Sequence, residues 1–218
     1  MSALSLFLSL SMSRRALLLV GAFSLGLTGC SFLKPSGVTP RSFLLAPAAA
    51  PSPATTNPAT ASVATKSLAI GMRPVNLPAY LLRKSIAVRQ HTNEIVYLEN
   101  AVWAERLDLG LQRVLGVSLG ASLAIDQVRF SAWRPEEVAF EVHVTVEQFD
   151  VDATGDAVLA AWWRLLSPGG EKMLASGRFS ATRQGQSPLN DPQAAVTLMS
   201  ALAGDFAQVL SSEARRRP

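Results

Sequence analysis

The chain has 218 residues, of which 49% are hydrophobic, 17% are charged and one is a cysteine. This length suits one domain with flanking segments. A single cysteine excludes an intrachain disulfide framework and a cysteine-rich zinc or iron–sulfur site. The only histidines are His91 and His143, so a histidine-rich metal centre is not expected, and the sequence predicts neither a metal nor a cofactor.

The formal net charge of +4 is unevenly distributed along the chain. Residues 1–29 contain two arginines and no acidic residue, and Arg215, Arg216 and Arg217 form a basic tail over residues 214–218. Outside these two groups, acidic residues outnumber basic ones by one. A nucleic-acid-binding protein needs a basic face, so no nucleic-acid partner is expected.

The N-terminus has the pattern of an exported bacterial lipoprotein. Arg14-Arg15 precede an apolar run over residues 16–27, which is shorter than the about 20 residues needed to span a bilayer. The run ends in a lipobox-like sequence of an apolar branched residue, two small residues and a cysteine. These residues are Leu27, Thr28, Gly29 and Cys30. We predict cleavage of a signal peptide over residues 1–29, from a start at Met1 or Met12, and lipidation of Cys30.

Lipidation would anchor the mature protein to a membrane through its N-terminal acyl chains. Ser31, rather than Asp, follows the cysteine. By resemblance to the sorting rule of enteric bacteria, this favours the periplasmic face of the outer membrane in a Gram-negative cell envelope.

The mature chain is expected to contain a tether, one domain and a basic tail. Residues 30–41 are the predicted tether and residues 42–213 the domain, within which an Ala/Pro-rich segment over residues 46–66 is predicted to be flexible. If residues 42–45 belong to the domain, the tether spans at most about 40 Å. If they do not, its reach more than triples.

The first half of the domain predicts strands followed by a helix. Residues 68–72 alternate as a strand, and residues 75–81 read as an extended segment that ends in a short helical turn. Residues 86–89 and 95–98 predict a hairpin around His91–Glu94. A helix is expected over residues 101–123 with an apolar stripe, consisting of Trp103, Leu107, Leu111, Val114, Leu115 and Leu119.

The second half predicts an antiparallel meander and a second helix. Residues 138–146 alternate between valine or phenylalanine on a buried face and polar residues on a wet face, with a bulge at Gln148-Phe149. Residues 157–166 are apolar on both faces and read as a central strand, and residues 173–183 as the next. Asn190-Asp191-Pro192 begins a helix. The predicted fold class is α+β, an antiparallel sheet with two main helices on one face.

Few residues suggest catalysis or metal binding. Gly116-Val-Ser118-Leu-Gly120 matches the G-x-S-x-G pattern, but it lies in a helical pattern, whereas a nucleophile elbow needs a strand-to-helix turn. His143 with Glu141 or Glu147 is better explained as a solvated strand face. Trp162 and Trp163 point to opposite faces of their strand, so that one of them is available to line a groove or an oligomer contact.

A run through the first half resembles a known family. The sequence Val75-Asn-Leu77-Pro78-Ala-Tyr80-Leu81-Leu-Arg83 continues through Ile86–Arg89 to Asn93-Glu94, and Trp103-Ala-Glu105 precedes the first helix. With Phe130-Ser-Ala-Trp133 and Ala161-Trp162, this run resembles the ABC-type transport auxiliary lipoprotein family, typified by PqiC. The sequence departs from the family pattern at Lys84-Ser85 and Arg106 and in the length of the 46–66 insertion.

The resemblance implies a non-enzymatic lipoprotein of the outer membrane. Its implied partners are an MCE-domain protein and ABC or permease components of an intermembrane lipid-transport system. Self-association is a further expectation. Nine motif residues are the candidate partner contacts: Leu77, Pro78, Tyr80, Arg83, Arg89, Asn93, Glu94, Trp103 and Glu105. A structural turn that packs Tyr80 under the sheet explains several of them equally well. The alternative function is a generic envelope-assembly or scaffolding lipoprotein that binds a peptide or an outer-membrane protein.

Overall fold

The computed structural model describes residues 39–47, 68–125 and 127–216. The predicted signal peptide, Cys30, most of the tether, positions 48–66 of the insertion, Ser67, Asp126 and the last two residues lie outside the described residues. The described elements, in chain order, are β1 (Arg41–Phe43), β2 (Ala69–Met72), β3 (Ser85–His91), β4 (Glu94–Trp103), α1 (Leu107–Leu123), β5 (Val128–Arg129), β6 (Val138–Asp152), β7 (Ala157–Leu166), β8 (Met173–Arg183) and α2 (Pro192–Arg215). Short 3-10 turns cover Ala79–Leu82 and Pro135–Glu137.

β6 is the centre of a single mixed sheet. One edge of β6 pairs antiparallel with β7, which in turn pairs antiparallel with β8. The other edge pairs parallel with β2 near the start of β6 and with β3 near its end. β2 continues to β5, and β3 continues to β4 and β1. The α+β class is confirmed, and the parallel pairs add to the antiparallel meander that the alternating sequence predicts.

The meander over β6, β7 and β8 follows the sequence pattern closely. The register of β6 against β7 shifts between Val146 and Gln148, where the bulge is predicted. Gly155 in the β6–β7 turn has a φ of +113°, a conformation that side-chain-bearing residues rarely adopt. β7 has a strand on each side, as expected for a segment that is apolar on both faces.

Both helices cover the same face of the sheet. α2 packs on β6, β7 and β8, and α1 packs on β2, on β5 and against α2. The rings of Phe179 on β8 and Phe206 on α2 stack with centroids 4.8 Å apart. The Asp191 side chain caps α2 by accepting from the backbone N–H of Gln193, and Pro192 occupies the first turn, as predicted. α2 is long and apolar enough to cross a membrane, but its apolar stripe is buried in this core.

The predicted start of the first helix is wrong by six residues. Residues 101–103 belong to β4, and the helix begins at Leu107. Trp103 therefore lies in a strand, where it is 4% exposed and pairs with Phe43 of β1. The end of β4 pairs with β3 on one side, where Val102 faces Ser85, and with β1 on the other. The β1 partner comes from about 60 residues earlier in the chain, so local periodicity gives no sign of it. The rest of the predicted stripe, Leu107 to Leu119, is buried as expected.

Residues 41–46 are held by the domain through several separate contacts. β1 pairs parallel with the end of β4, and the side chains of Phe43 and Leu45 are 6% and 2% exposed. Arg113 of α1 donates to the Leu45 carbonyl at 2.9 Å, and the Ala46 N–H donates to Ser200 of α2 at 3.1 Å. This segment therefore joins one edge of the sheet to both helices.

Candidate functional site

The face of the sheet away from the helices carries charged and aromatic side chains. Facing residues on antiparallel strands share a face, so Thr145 of β6, Trp162 of β7 and Arg178 of β8 lie on this side. Their strand neighbours Val144 and Trp163 point to the helices and are buried. We call this side the open face. The three clusters described below lie on it.

The family-like motif runs along the edge of β6 that also pairs with β2 and β3, where the Asn76 N–H donates to the Val144 carbonyl and the Asn76 carbonyl accepts from the Val146 N–H. Its apolar positions Leu77 and Leu81 are 8% and 3% exposed, so they fix the segment to the core. Asn76 bridges to Thr145 of β6, and the 3-10 turn Ala79–Leu82 follows Pro78. Tyr80 is thereby placed over the end of β6.

Tyr80 and Arg89 converge on one buried carboxylate. Asp150 of β6, which is 1% exposed, accepts from the Tyr80 hydroxyl at 2.7 Å and from Nη2 of Arg89 at 2.6 Å. Gln148 donates to its other oxygen at 2.9 Å. Burial and the bond to Asp150 raise the pKa of Tyr80 far above its ordinary value, and the bond to Asp150 raises the pKa of Arg89. We call this the Asp150 cluster. Its pairing satisfies a charge that would otherwise be buried alone.

The remaining motif residues occupy separate places in the domain. Arg83 is exposed and its guanidinium carbon lies 4.6 Å from the ring centre of Tyr97, while Asn93 and Glu94 are exposed at the β3–β4 turn. Glu105 pairs with Arg113 of α1 at 2.5 Å. The structure therefore brings Tyr80 and Arg89 together, and it buries Leu77 and Trp103 in the core.

A second buried carboxylate lies at the start of β6. Glu141, predicted on the wet face, is 1% exposed because the indole of Trp133 covers this position. Its carboxylate accepts from Arg73 at 2.9 Å, from Trp133 at 3.1 Å and from the Gly169 N–H at 3.2 Å. Nε2 of His143 lies 3.3 Å from Oε2. We call this the Glu141 cluster.

Opposing effects set the pKa of Glu141. Burial alone would raise it, but the hydrogen bonds from Arg73, Trp133 and His143 outweigh burial and lower it to about 2. The guanidinium of Arg73 also stacks over Trp133, with its carbon 4.4 Å from the ring centre. Glu141 therefore fastens the loop around Trp133 and the β7–β8 turn to the sheet.

The third cluster is exposed. Trp162 on β7 is 51% exposed, and its indole N–H donates to Glu147 at 2.8 Å. Arg178 on β8 donates to the same carboxylate at 3.0 Å, and the bonds from Trp162 and then Arg178 lower the pKa of Glu147. Arg164, two residues along β7, is exposed and makes no ion pair within the described ranges. We call these four residues the Trp162 cluster.

The G-x-S-x-G residues do not form a nucleophile elbow. They lie inside α1, where the Ser118 hydroxyl is enclosed and has no hydrogen-bond partner among the described residues. A methyl group added at Gly116 would lie 2.6 Å from the ring of Phe130, so the glycine permits close packing of that ring on the helix. Within the described ranges, no three metal-ligating side chains come together.

Sequence reasoning missed the partners rather than the motif. Asp150 and Glu141 are charged residues of β6. Glu141 lies within the alternating part of the strand, and Asp150 lies after the bulge. A charge at a position flanked by Phe149 and Val151 is the one signal that could have indicated a buried ion pair. Alternation predicts Glu147 on the wet face, and it is exposed there.

The family model described as "ABC-type transport auxiliary lipoprotein component" matches residues 44–210. No curated protein matches the chain. The crystal structure of an uncharacterized protein is 17% identical with a TM-score of 0.64, covering 80% of this chain and 98% of that one. A Xanthomonas campestris protein of family DUF330 is 17% identical with a TM-score of 0.57, covering 78% and 92%. These two likenesses concern the fold alone.

A weaker likeness is to the PelC dodecamer from Paraburkholderia phytofirmans, at 15% identity and a TM-score of 0.41, covering 69% of this chain and 91% of that one. The family match spans β2 to Leu210 in the last two turns of α2 and includes the Asp150, Glu141 and Trp162 clusters. The chain belongs to the family of ABC-type transport auxiliary lipoproteins.

Proposed function

We propose that this lipoprotein faces the periplasm from the outer membrane, where its open face docks an MCE-domain protein of an ABC-type lipid-transport system. Membership of the transport auxiliary family supports a role beside a transporter rather than as an enzyme. The MCE partner and the outer-membrane location rest on the sequence resemblance and on the predicted lipid at Cys30.

The observation that carries the docking proposal is the Trp162 cluster. Half of the Trp162 side chain is exposed, although its N–H is already bonded to Glu147. Tryptophan and arginine are the residues that most often dominate binding energy at protein interfaces. Because Glu147 holds both Trp162 and Arg178 in place, a partner would bind them with little loss of side-chain entropy.

The position of the cluster in the sheet suits contact with a partner away from the anchor. The strand order from one edge to the other is β1, β4, β3, β6, β7, β8, and the predicted tether joins the domain at β1. Trp162 and Arg178 lie on β7 and β8, about 20–25 Å from β1 at roughly 4.8 Å per strand.

Affinity purification of the full-length protein from detergent-solubilised envelopes tests the proposal. We expect an MCE-domain protein to co-purify, and we expect W162A and R178A to reduce its recovery at least ten-fold. Leu109→Ala is the matched control, because Leu109 is 49% exposed but lies on α1, away from the open face. If no MCE-domain protein co-purifies with the unsubstituted protein, the transport partner is wrong. If W162A recovers as much as L109A, the docking surface is wrong.

The free edge of β8 favours a second candidate function. β8 has 11 residues and pairs only with β7 in the part of the chain that the structure describes. Such an edge can accept an extended peptide as an added strand. A scaffolding lipoprotein would bind a peptide or an outer-membrane protein in this way.

A photocrosslinking amino acid at Ser180 of β8 separates the outcomes in cells. Adducts with an outer-membrane protein and none with an MCE protein would favour the scaffolding function. Adducts with a second copy of the chain would indicate self-association, which light scattering of the purified protein would measure independently.

A further inference from the structure

An apolar pocket lies on the helix-covered side of the sheet, at the end where both helices terminate. Its volume is about 270 Å³. The helix ends contribute Leu123 and Ala214, and the sheet contributes Phe140, Leu165 and Leu174. Ile125, from the loop after α1, and Ala139 complete the lining. Every lining side chain is a hydrocarbon.

The pocket is wide enough for part of a hydrocarbon chain. Protein interiors contain few voids larger than a water molecule, and an apolar cavity of about 150 Å³ is large enough to bind benzene. At about 30 Å³ for each water-sized group, 270 Å³ holds roughly nine methylene-sized groups. No lining side chain offers a hydrogen bond, so polar contacts in the pocket come only from the backbone, which favours a hydrocarbon occupant over a ligand that needs side-chain hydrogen bonds.

The pocket has a closed end and an open end. Leu165 is 1% exposed and lies at the bottom, whereas Phe140, Leu174 and Ala214 are only partly buried and lie toward solvent. A linear molecule would therefore enter this pocket with one end first.

A cationic residue lies next to the pocket lining. Arg215 follows Ala214 directly, and its guanidinium donates to the carbonyl of Ser122, the residue before Leu123. Arg215 is therefore adjacent in sequence or in space to two lining residues, one on each helix. An apolar interior beside an exposed arginine is complementary to an amphiphile with an anionic or phosphate-bearing head.

We propose that this pocket binds the terminal part of one acyl chain of a membrane phospholipid, with the lipid head near Arg215. The proposal deepens the transport role and relies on it only for a membrane that supplies the lipid. The pocket is on the helix side and the Trp162 cluster on the open face, so the domain would contact lipid and partner through different surfaces.

Photolabelling of the full-length lipoprotein in vesicles tests the proposal. The vesicles consist of phosphatidylethanolamine and phosphatidylglycerol doped with a phospholipid that carries a diazirine either at the end of one acyl chain or beside its carboxyl group. After irradiation, adducts are mapped by peptide mass spectrometry. We expect the terminal diazirine to label the peptides that contain Leu165 and Leu174, and the carboxyl-proximal diazirine to label them at least ten-fold less.

Two variants make the pocket smaller from opposite sides. Ala214→Leu fills it from α2, and A139L fills it from β6. Each should reduce terminal-diazirine labelling at least five-fold. Ala194→Leu, a half-buried position on the same helix outside the pocket, should leave labelling unchanged. Circular dichroism melts show which variants are folded, and the diazirine-position comparison in the unsubstituted protein does not depend on them.

Three results would overturn the proposal: absence of adducts at the lining residues, equal labelling by both diazirine positions, or labelling of folded A214L and A139L at the level of A194L. The vesicles contain no partner protein, so none of these results bears on docking of an MCE-domain protein. Conversely, loss of the partner in the W162A purification leaves the photolabelling unaffected.

Discussion

Replacement of Glu141 by glutamine should destabilise the fold in a pH-dependent manner. The native environment lowers the pKa of Glu141 from its ordinary value of 4.5 to about 2. A pKa difference of about 2.5 corresponds to about 3 kcal/mol, at about 1.4 kcal/mol per pKa unit. Because the folded-state pKa is the lower one, this stabilisation is fully present above about pH 4.5 and is lost as the pH falls toward 2. Glutamine keeps the shape of the side chain and removes the charge that Arg73 and His143 face.

Urea unfolding followed by tryptophan fluorescence at pH 7, 5, 4 and 3 measures the effect. We expect Glu141→Gln to lower the free energy of unfolding by about 3 kcal/mol at pH 7 and 5, and the difference from the unsubstituted protein to shrink at pH 4 and 3. Glu99→Gln, at an exposed glutamate, should change it by less than about 0.5 kcal/mol. A Glu141→Gln deficit below about 1 kcal/mol at pH 7, or one that does not change with pH, would refute the reasoning.

Three further predictions concern other parts of the molecule. Tyr80→Phe removes one bond to Asp150 and should cost about 1 kcal/mol in urea unfolding, whereas Asp150→Ala leaves Arg89 without its partner and should cost about 3 kcal/mol; equal costs would contradict the ion-pair argument. Gly116→Ala should lower the melting temperature because its methyl group meets an aromatic ring, whereas Gly110→Ala, which meets only the end of a side chain, should raise it; a higher melting temperature for Gly116→Ala would show that helix propensity outweighs the close contact, and a lower one for Gly110→Ala that the contact with Glu105 outweighs propensity. Cys30→Ser should abolish palmitate labelling and move the protein from the membrane fraction to the soluble fraction, and retention in membranes would contradict lipid anchoring.

Local periodicity predicts much of the fold. The alternation over β6 and the apolar character of β7 predict the meander, and the cap at Asp191 predicts the start of α2. These features depend on neighbours a few residues apart, so one sequence contains enough information to predict them. The bulge after Val146 follows from the same pattern, because the alternation changes phase there.

Contacts between distant parts of the chain account for what the sequence did not predict. Trp103 belongs to a strand that pairs with β1 on one side and with the start of β3 on the other, and Glu141 is buried because Trp133 covers it. The motif residue Tyr80 could be singled out by resemblance, but its partner Asp150 is 70 residues later and follows no motif. The sequence also does not predict that Trp162 is exposed and Trp163 buried. Alternation places the two side chains on opposite faces but does not show which face the helices cover.

With the proposed lipid anchor at Cys30, the attachment of β1 limits how far the domain can stand from the membrane. Ten residues separate Cys30 from Arg41, and this tether spans at most about 40 Å when fully extended. If β1 left the sheet, the next strand would be β2 at Ala69, and the tether would lengthen to about 140 Å. The greatest distance between the domain and the lipid headgroups therefore depends on whether β1 stays in the sheet. It is held there by three paired residues and by the buried side chains of Phe43 and Leu45. A substitution such as Phe43→Ser would change that distance without altering the length of the chain.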